Sequence, residues 1–389
     1  MRGAYQPAIR FGTFVDSDLL TRIPAVRSAF GVNAGQSTPR RGAWNMRSTA
    51  WRRSARSRRL RRRFACAKVA RWLWVQSDGV KNSLSAVSFC GRSLGDYVVL
   101  KSDGERLWPS GVARCGSVWV CPVCSASIKV RRALELETAA LAHIAAGGSL
   151  SMLTFTVRHK LGMELKDVAE AEQSAFRALH GLKSWRHFRS LLTHYVTSTE
   201  VTVGENGWHP HLHQMLFVRP GVSQSQLDDA LVAVVDDWRR LVGSRLGLIP
   251  SVERGLVISH YGSDVDAGVA GYVSKVAGEL TDGDMKSGRD AFSLLDGVDD
   301  GNVQDIARWI EFADAMKGRR FMNYSKGFHD HFGTREVSDA ELVEMDDEVG
   351  VEVARVRRKV WHKMLNDGSL ADFLDRVELE LLGPAPPDE

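Results

Sequence analysis

The sequence lacks any run of about 18 apolar residues, which is the length that a membrane-spanning helix needs. Its first residues, MRGAYQPAIRFGTF, also lack the apolar core of a secretion signal. We therefore expect a cytoplasmic protein that does not enter a membrane. No internal repeat is visible, and 389 residues are enough for two or three domains.

Cysteine is scarce, but four of the five cysteines are grouped. Cys115, Cys121 and Cys124 lie in CGSVWVCPVC, and Cys90 precedes them in FCGRSLG. Because cytosolic cysteines stay reduced, such grouping indicates metal or redox chemistry rather than disulfides. Four thiolates predict a structural Zn²⁺ site with these residues as ligands. A redox role for CPVC and thiols without a special role are the alternatives.

Lysine is absent from the first 63 residues, and acids are nearly so. Fifteen arginines against two aspartates give this segment a charge of +13, so the remainder carries −8 within the total of +5. This much like charge predicts a disordered basic arm over residues 1–67 that binds nucleic acid through phosphates. An extension of little consequence is the alternative. The arginines predicted to contact DNA are Arg58, Arg59, Arg61, Arg62 and Arg63.

Three histidines occupy every second position in GWHPHLHQMLF, at 209, 211 and 213. Successive side chains of a strand point to opposite faces, so the three imidazoles would share one face. A polar, solvated strand face is one interpretation. A metal site is the other, because neutral imidazole is a common ligand of divalent ions.

The turn before this strand favours the metal site. Gly204 and Gly207 flank Glu205-Asn206, which predicts a hairpin with a two-residue turn. Counting outwards from the turn places Glu200 directly across from His211, on the histidine face. A slip of one residue would turn Glu200 to the opposite face. Imidazoles with a carboxylate and open positions suit Mn²⁺ or Mg²⁺ acting on a phosphate.

A nucleophile candidate lies downstream in GYVSKVAGEL, which reads as a helix. Tyr272 and Lys275 are three residues apart and would share one helix face. A tyrosine hydroxyl can form a covalent intermediate, and a nearby lysine can stabilise the charge. Alone, this pattern is weak, because most tyrosines of an amphipathic helix belong to the core or the surface.

Together these motifs resemble a known family. HPHLH, the downstream YVSK and the preceding LTFTV are similar to the three motifs of rolling-circle replication initiators of the HUH endonuclease superfamily. The wider set, with CGSVWVCPVC and WIEFADAMKGRR, resembles the plasmid Rep proteins of high-GC Gram-positive bacteria. The resemblance covers about residues 85–335.

The resemblance implies specific roles. His211 and His213 would be the metal-binding pair, and Tyr272 would attack the DNA. The hairpin register adds Glu200 to the ligands, and His209 would lie just outside this ligand set. The implied activity is nicking one strand at the double-strand origin of a plasmid, which leaves a 5′-phosphotyrosyl link and a free 3′-hydroxyl. The DNA at the nick site would be single-stranded or a hairpin, and the host helicase and polymerase would be partners. One departure is Gly268, where some relatives have a glutamate that activates water for the terminating cleavage.

The order of elements from 151 to 280 is strand, helix, strand, strand, helix, strand, helix. This order predicts an α+β domain with a mostly antiparallel sheet, with SMLTFTV near its centre and helices on one face. Four regions are expected: the basic arm 1–67, a cysteine-rich module with a helix 68–146, the endonuclease domain 147–295, and a helical, acidic region 296–389.

Two other functions remain open at this point. The first is a transposase or relaxase with the same chemistry, although a single tyrosine and the cysteine module favour a replication initiator. The second is a zinc-containing DNA-binding regulator without catalysis. Such a regulator would need neither a glutamate facing His211 nor a tyrosine one helical turn before a lysine.

Overall fold

The computed structural model describes residues 49–104, 106–262, 289–344 and 350–382. Tyr272 and Lys275, the predicted nucleophile and its neighbour, lie outside the described residues, as does Gly268. From residue 149 to residue 262, the predicted strands and helices occur in the predicted order, with two further short helices, Lys183–Ser190 and Val252–Gly255.

A six-stranded antiparallel sheet forms the centre of the protein. The strands of this sheet are β3 (Ser149–Thr156), β4 (Leu192–Gly204), β5 (Gly207–Val218), β6 (Leu256–Gly262), β7 (Arg289–Asp290) and β8 (Met322–Tyr324). Their order is β6-β3-β5-β4-β7, with β8 paired to β4 as well. Because β3 has a neighbour on each side, the predicted central position of SMLTFTV is confirmed.

The hairpin β4–β5 has the register predicted from its turn. Gly204 lies opposite Gly207, and Glu200 lies opposite His211. Gly207 has a φ of +91°, a conformation that a residue without Cβ adopts at little cost. The turn thereby fixes the register, and the register fixes which side chains share a face.

Helices cover both faces of this sheet, which corrects the prediction of helices on one face only. The helices of the described residues are Thr49–Gln76, Pro122–Ala145, Leu165–His180, Lys183–Ser190, Gln224–Leu246, Val252–Gly255, Leu294–Asp299, Val303–Met316, Phe328–Phe332, Asp339–Glu344, Arg358–Asp367 and Leu370–Leu382, with 3₁₀ turns at Ser85–Ser88 and Ala291–Ser293.

Both faces of the sheet are apolar, and this is why both are covered. Leu153 and Phe155 of β3 pack in one core with Trp238 of the helix Gln224–Leu246. Met152 points the other way and joins a second core that includes Ile128 of the helix Pro122–Ala145. A strand with buried side chains on both faces must lie between two layers.

The N-terminal helix Thr49–Gln76 corrects part of the prediction of a disordered arm, which was expected to extend to residue 67. Ala65 and Cys66 are fully buried in this helix. Its arginines face acids from the C-terminal half: Arg56 contacts Asp375 and Glu378 at 2.6 Å each. Like charge argues against a core only when no opposite charge is available, and here the acids compensate it.

A second, three-stranded sheet joins the two ends of the described chain. It has the order β2-β1-β9, from β1 (Tyr97–Ser102), β2 (Leu107–Ser110) and β9 (Val351–Arg357). The region from 296 onwards, predicted as helical, therefore also contributes strands, since β8 and β9 pair with strands from earlier in the chain. Within the described ranges, no helix is long and apolar enough to cross a membrane.

Candidate functional site

The three histidines of β5 form a row on one face of the sheet, as their alternation predicts. The rings of His209 and His211 are stacked with centroids 5.4 Å apart, and those of His211 and His213 are 6.1 Å apart. Their neighbours on β3 are Thr154, opposite His213, and Thr156, opposite His211. The row therefore lies along the middle of the sheet rather than at a solvated edge.

Glu200 contacts His213 rather than the residue directly across from it. Its Oε2 lies 2.6 Å from Nε2 of His213. The other ring nitrogen of His213, Nδ1, is hydrogen-bonded to Oγ1 of Thr154 at 3.1 Å. A ring held at one nitrogen presents the other in a fixed direction, which is how metal-ligating histidines are usually oriented. Thr154 was not singled out from the sequence, although it shares this face by simple alternation.

Burial sets the charge of this site. Burial lowers the pKa of His211 to about 4, so its imidazole is neutral near pH 7 and can donate a lone pair. Burial alone would raise the pKa of Glu200. The hydrogen bond and charge of His213, with His211 and Lys129 nearby, outweigh burial and lower that pKa. The site thus offers the carboxylate of Glu200 beside the neutral imidazole of His211.

The donor set of this face suits a hard or borderline divalent ion. It provides a carboxylate oxygen and imidazole nitrogens, and Nδ1 of His211 is buried without a hydrogen-bond partner. These ligand atoms are less closely gathered than those of the cysteines. Within the described ranges, only Cys90, Cys115, Cys121 and Cys124 place at least three such atoms within 4.8 Å of one another.

The four cysteines predicted as a zinc site do come together. The Sγ atom of Cys124 lies 3.5 Å from that of Cys90 and 3.7 Å from that of Cys115, and Cys121 lies 3.6 Å from Cys90. Hydrogen bonds from the neighbouring thiols, Cys115 foremost, lower the pKa of Cys90 and of Cys124. Such a group can bind a metal ion such as zinc.

The cysteine cluster lies inside the protein at the start of a long helix. Cys121 precedes the helix Pro122–Ala145, and Cys124 lies in its first turn. Cys90, Cys121 and Cys124 are buried in the same core as residues of the large sheet. A metal ion here would tie the segment 85–121, which includes two strands of the second sheet, to the helix Pro122–Ala145.

The arginines predicted to bind DNA differ in exposure. Arg62 is buried and makes a two-pronged contact with Asp296 at 2.8 and 2.6 Å. Arg63 is also buried and donates to the backbone carbonyls of Val87 and Cys90. Arg58 and Arg59 are half-buried, whereas Arg61 is exposed and lies 3.1 Å from Asp372. Their binding to DNA stays a prediction.

Other residues near the histidine row were not found from the sequence. His159 lies just beyond β3, and its ring meets that of His209 edge to face with centroids 4.0 Å apart. Arg158 precedes it and Arg254 lies on a short helix before β6; both line a cleft that also includes His209. The RH pair after LTFTV was a signal for two of these residues, but no local pattern marked Arg254.

Comparison with known proteins agrees with the motifs. Residues 112–234, which include the cysteine triplet, the hairpin and the histidine row, match a protein family described as "Replication protein". The chain is also 26% identical over 329 residues to "Protein rep" of Streptomyces lividans, covering 65% of this chain and 72% of that protein. The predicted resemblance to Rep proteins is confirmed.

A second relative matches a shorter part of the chain. It is the "Neomycin resistance protein" of Streptomyces cyanogenus, 29% identical over 169 residues, which cover 33% of this chain and 38% of that protein. No solved structure matches the chain. The family match and the first relative therefore support the resemblance to Rep proteins, while the roles of individual residues rest on the site itself.

Proposed function

We propose that this protein initiates plasmid replication by nicking one DNA strand at the origin with Tyr272 as the nucleophile. The single observation that carries this proposal is the contact between Glu200 and His213, 2.6 Å apart on a face shared with His211. The similarity to replication proteins supports it, because a replication protein acts on DNA, whose phosphodiesters a divalent ion at this site could bind.

Glu200, His211 and His213 would hold a divalent ion, Mn²⁺ or Mg²⁺. The buried, unpartnered Nδ1 of His211 and the lowered pKa of Glu200 fit a set of ligands that must be deprotonated to bind. When bound, the ion would polarise the scissile phosphate. Thr154 would keep the ring of His213 in its orientation through Nδ1.

The chemistry of the chain itself is a phosphodiester exchange. The phenolic oxygen of Tyr272 forms a bond to the phosphorus, and the bond from phosphorus to the 3′ oxygen breaks. The phenol loses its proton and the departing 3′ oxygen gains one, so the products are a 5′-phosphotyrosyl link and a free 3′-hydroxyl. Lys275 would stabilise the negative charge on the phosphate or the phenolate.

The remaining partners follow from this activity. Plasmid origin DNA, single-stranded or as a hairpin at the nick site, is the substrate, and the free 3′-hydroxyl would serve the host polymerase together with a host helicase. The cysteine group would hold a structural Zn²⁺. Because Gly268 stands where some relatives have a glutamate, another group must activate water for the terminating cleavage.

The test uses a labelled single-stranded oligonucleotide that spans the plasmid origin, with and without Mn²⁺. We expect a protein–DNA adduct that survives boiling in detergent, requires the metal ion and disappears in Tyr272→Phe. Tyr97→Phe is the matched control, because Tyr97 lies half-exposed on β1, in the other sheet. An adduct of normal yield in Tyr272→Phe would contradict the assignment of the nucleophile.

The same experiment separates the enzyme from a regulator without catalysis. A protein that binds the origin tightly but forms no adduct with any divalent ion would act as a zinc-containing DNA-binding regulator. In that case the histidine face would serve binding rather than cleavage.

A further inference from the structure

A cleft of about 380 Å³ lies at the turn end of the histidine row. Three segments meet there: the residues that follow β3, the turn and first part of β5, and the loop and short helix before β6. The residues that matter for its chemistry are Arg158, His159, Asn206, His209 and Arg254.

The lining of the cleft is positively charged. It contains two arginines and no aspartate or glutamate. Both Arg158 and Arg254 are exposed. Unlike Arg56 and Arg62, neither is paired with an acid in the part of the chain that the structure describes. Two unpaired guanidinium groups facing one cleft favour an anionic ligand, and the planar guanidinium matches the geometry of a phosphate.

Two imidazoles, His159 and His209, also belong to the lining. Their rings meet edge to face with centroids 4.0 Å apart.

The cleft adjoins the proposed cleavage site. His209 belongs to both the lining and the histidine row, and its ring centroid is 5.4 Å from that of His211. A DNA strand with its scissile phosphate near His211 and His213 would bring a neighbouring nucleotide to the cleft. The volume accommodates about one nucleotide of single-stranded DNA, which is small for a duplex.

We propose that this cleft binds the phosphates of the single strand next to the scissile phosphate, with Arg158 and Arg254 as positioning residues. This inference rests on the proposed function, because it names where the substrate of that reaction lies. Phosphate contacts fix the register of a strand on a protein without reading its sequence. Arg158 and Arg254 would thereby set which phosphate reaches the histidine row.

The test measures binding of the origin oligonucleotide by fluorescence anisotropy without added Mn²⁺, over a series of salt concentrations. It compares Arg158→Gln, Arg254→Gln and the double variant with Arg186→Gln. Arg186 is also exposed, on the helix Lys183–Ser190, which leads into β4 at the end of the strand far from the turn. Lysine at 158 and 254 tests whether charge alone restores binding.

Each cleft variant should weaken binding about three- to tenfold and reduce the salt dependence by roughly 0.7 per lost phosphate contact. Lysine should restore most of the salt dependence but less of the affinity, because it lacks the two-pronged geometry. In the adduct assay, the oligonucleotide concentration for half-maximal rate should rise more than the maximal rate falls. Binding and salt dependence equal to those of Arg186→Gln would overturn the proposal.

The outcomes separate this inference from the proposed function. Weaker binding by the cleft variants, in a protein that never forms an adduct, would leave the cleft assignment standing and remove the nicking activity. Normal binding by the cleft variants, in a protein that does form the adduct, would reject the cleft assignment and leave the nicking activity standing. An equal loss of affinity for a duplex of the same sequence would overturn the assignment to a single strand.

Discussion

Glu200 lies directly across the hairpin from His211, yet its carboxylate reaches along the sheet to contact Nε2 of His213 at 2.6 Å. The cross-strand register brings the acid to the histidine face, and the side-chain conformation selects the partner. The carboxylate therefore contacts one proposed histidine ligand, and the backbone of Glu200 is paired with the other. This relationship makes Glu200 the most informative residue of the site to change.

Glu200→Gln should lower the yield of the metal-dependent adduct at least tenfold at limiting Mn²⁺, because an anionic ligand is replaced by a neutral amide. Excess Mn²⁺ should recover part of the loss. A titration of adduct yield against Mn²⁺ concentration measures both effects. Glu205→Gln is the control, since Glu205 is exposed in the turn of the same hairpin. Identical titrations for the two variants would exclude Glu200 as a ligand.

Cys124→Ser should abolish the bound zinc that we expect at about one ion per chain, and should lower the melting temperature by several degrees. Metal analysis and thermal unfolding check these two results. Cys66→Ser is the control, because burial raises the pKa of the Cys66 thiol to about 12 and its Sγ lies 3.4 Å from the carbonyl of Val120. Serine can make the same contact, so zinc content should stay unchanged. Full zinc content in Cys124→Ser would contradict the site.

Arg62→Ala should destabilise the fold by about 2 kcal/mol, because it removes a buried guanidinium that contacts Asp296. Arg61→Ala removes an exposed arginine of the same helix and should change the free energy of unfolding by less than about 0.5 kcal/mol. Urea denaturation measures both. Equal stabilities would mean that the packing of this helix does not depend on its buried ion pairs.

Glu172→Gln should flatten the pH dependence of stability. Glu172 is 1% exposed, and burial raises its pKa well above the usual 4.5. The folded-state pKa then exceeds the unfolded-state pKa, so the stability present below pH 4.5 is lost as the pH rises through the folded-state value. Glutamine stays neutral and should be more stable than the wild type at pH 8.

Melting temperatures at pH 5, 7 and 8 test this prediction for Glu172. Glu170→Gln is the control, because Glu170 is exposed on the same helix. Parallel profiles for the wild type and Glu172→Gln would show that this carboxyl is not protonated in the folded protein.

Much of the candidate site could be predicted from the sequence because it depends on local rules. The alternation of β5 fixed the face of the histidines, and the Gly-Glu-Asn-Gly turn fixed the register that brings Glu200 to them. Cys115, Cys121 and Cys124 are close in the chain, and Cys90 was the one cysteine left in a suitable loop. The residues that form these features are separated by no more than about 35 positions in the sequence.

What the sequence alone determined is therefore the hairpin, the histidine face and the grouping of the cysteines, since turn chemistry and strand periodicity act over a few residues. Only the tertiary structure decided that helices cover both faces of the sheet, that Arg62 contacts an acid 234 positions away, and that Arg254 joins Arg158 in one cleft. Such contacts depend on how segments that are distant in the sequence pack together. No local sequence pattern shows which charged residues will pair or which apolar faces will pack against each other.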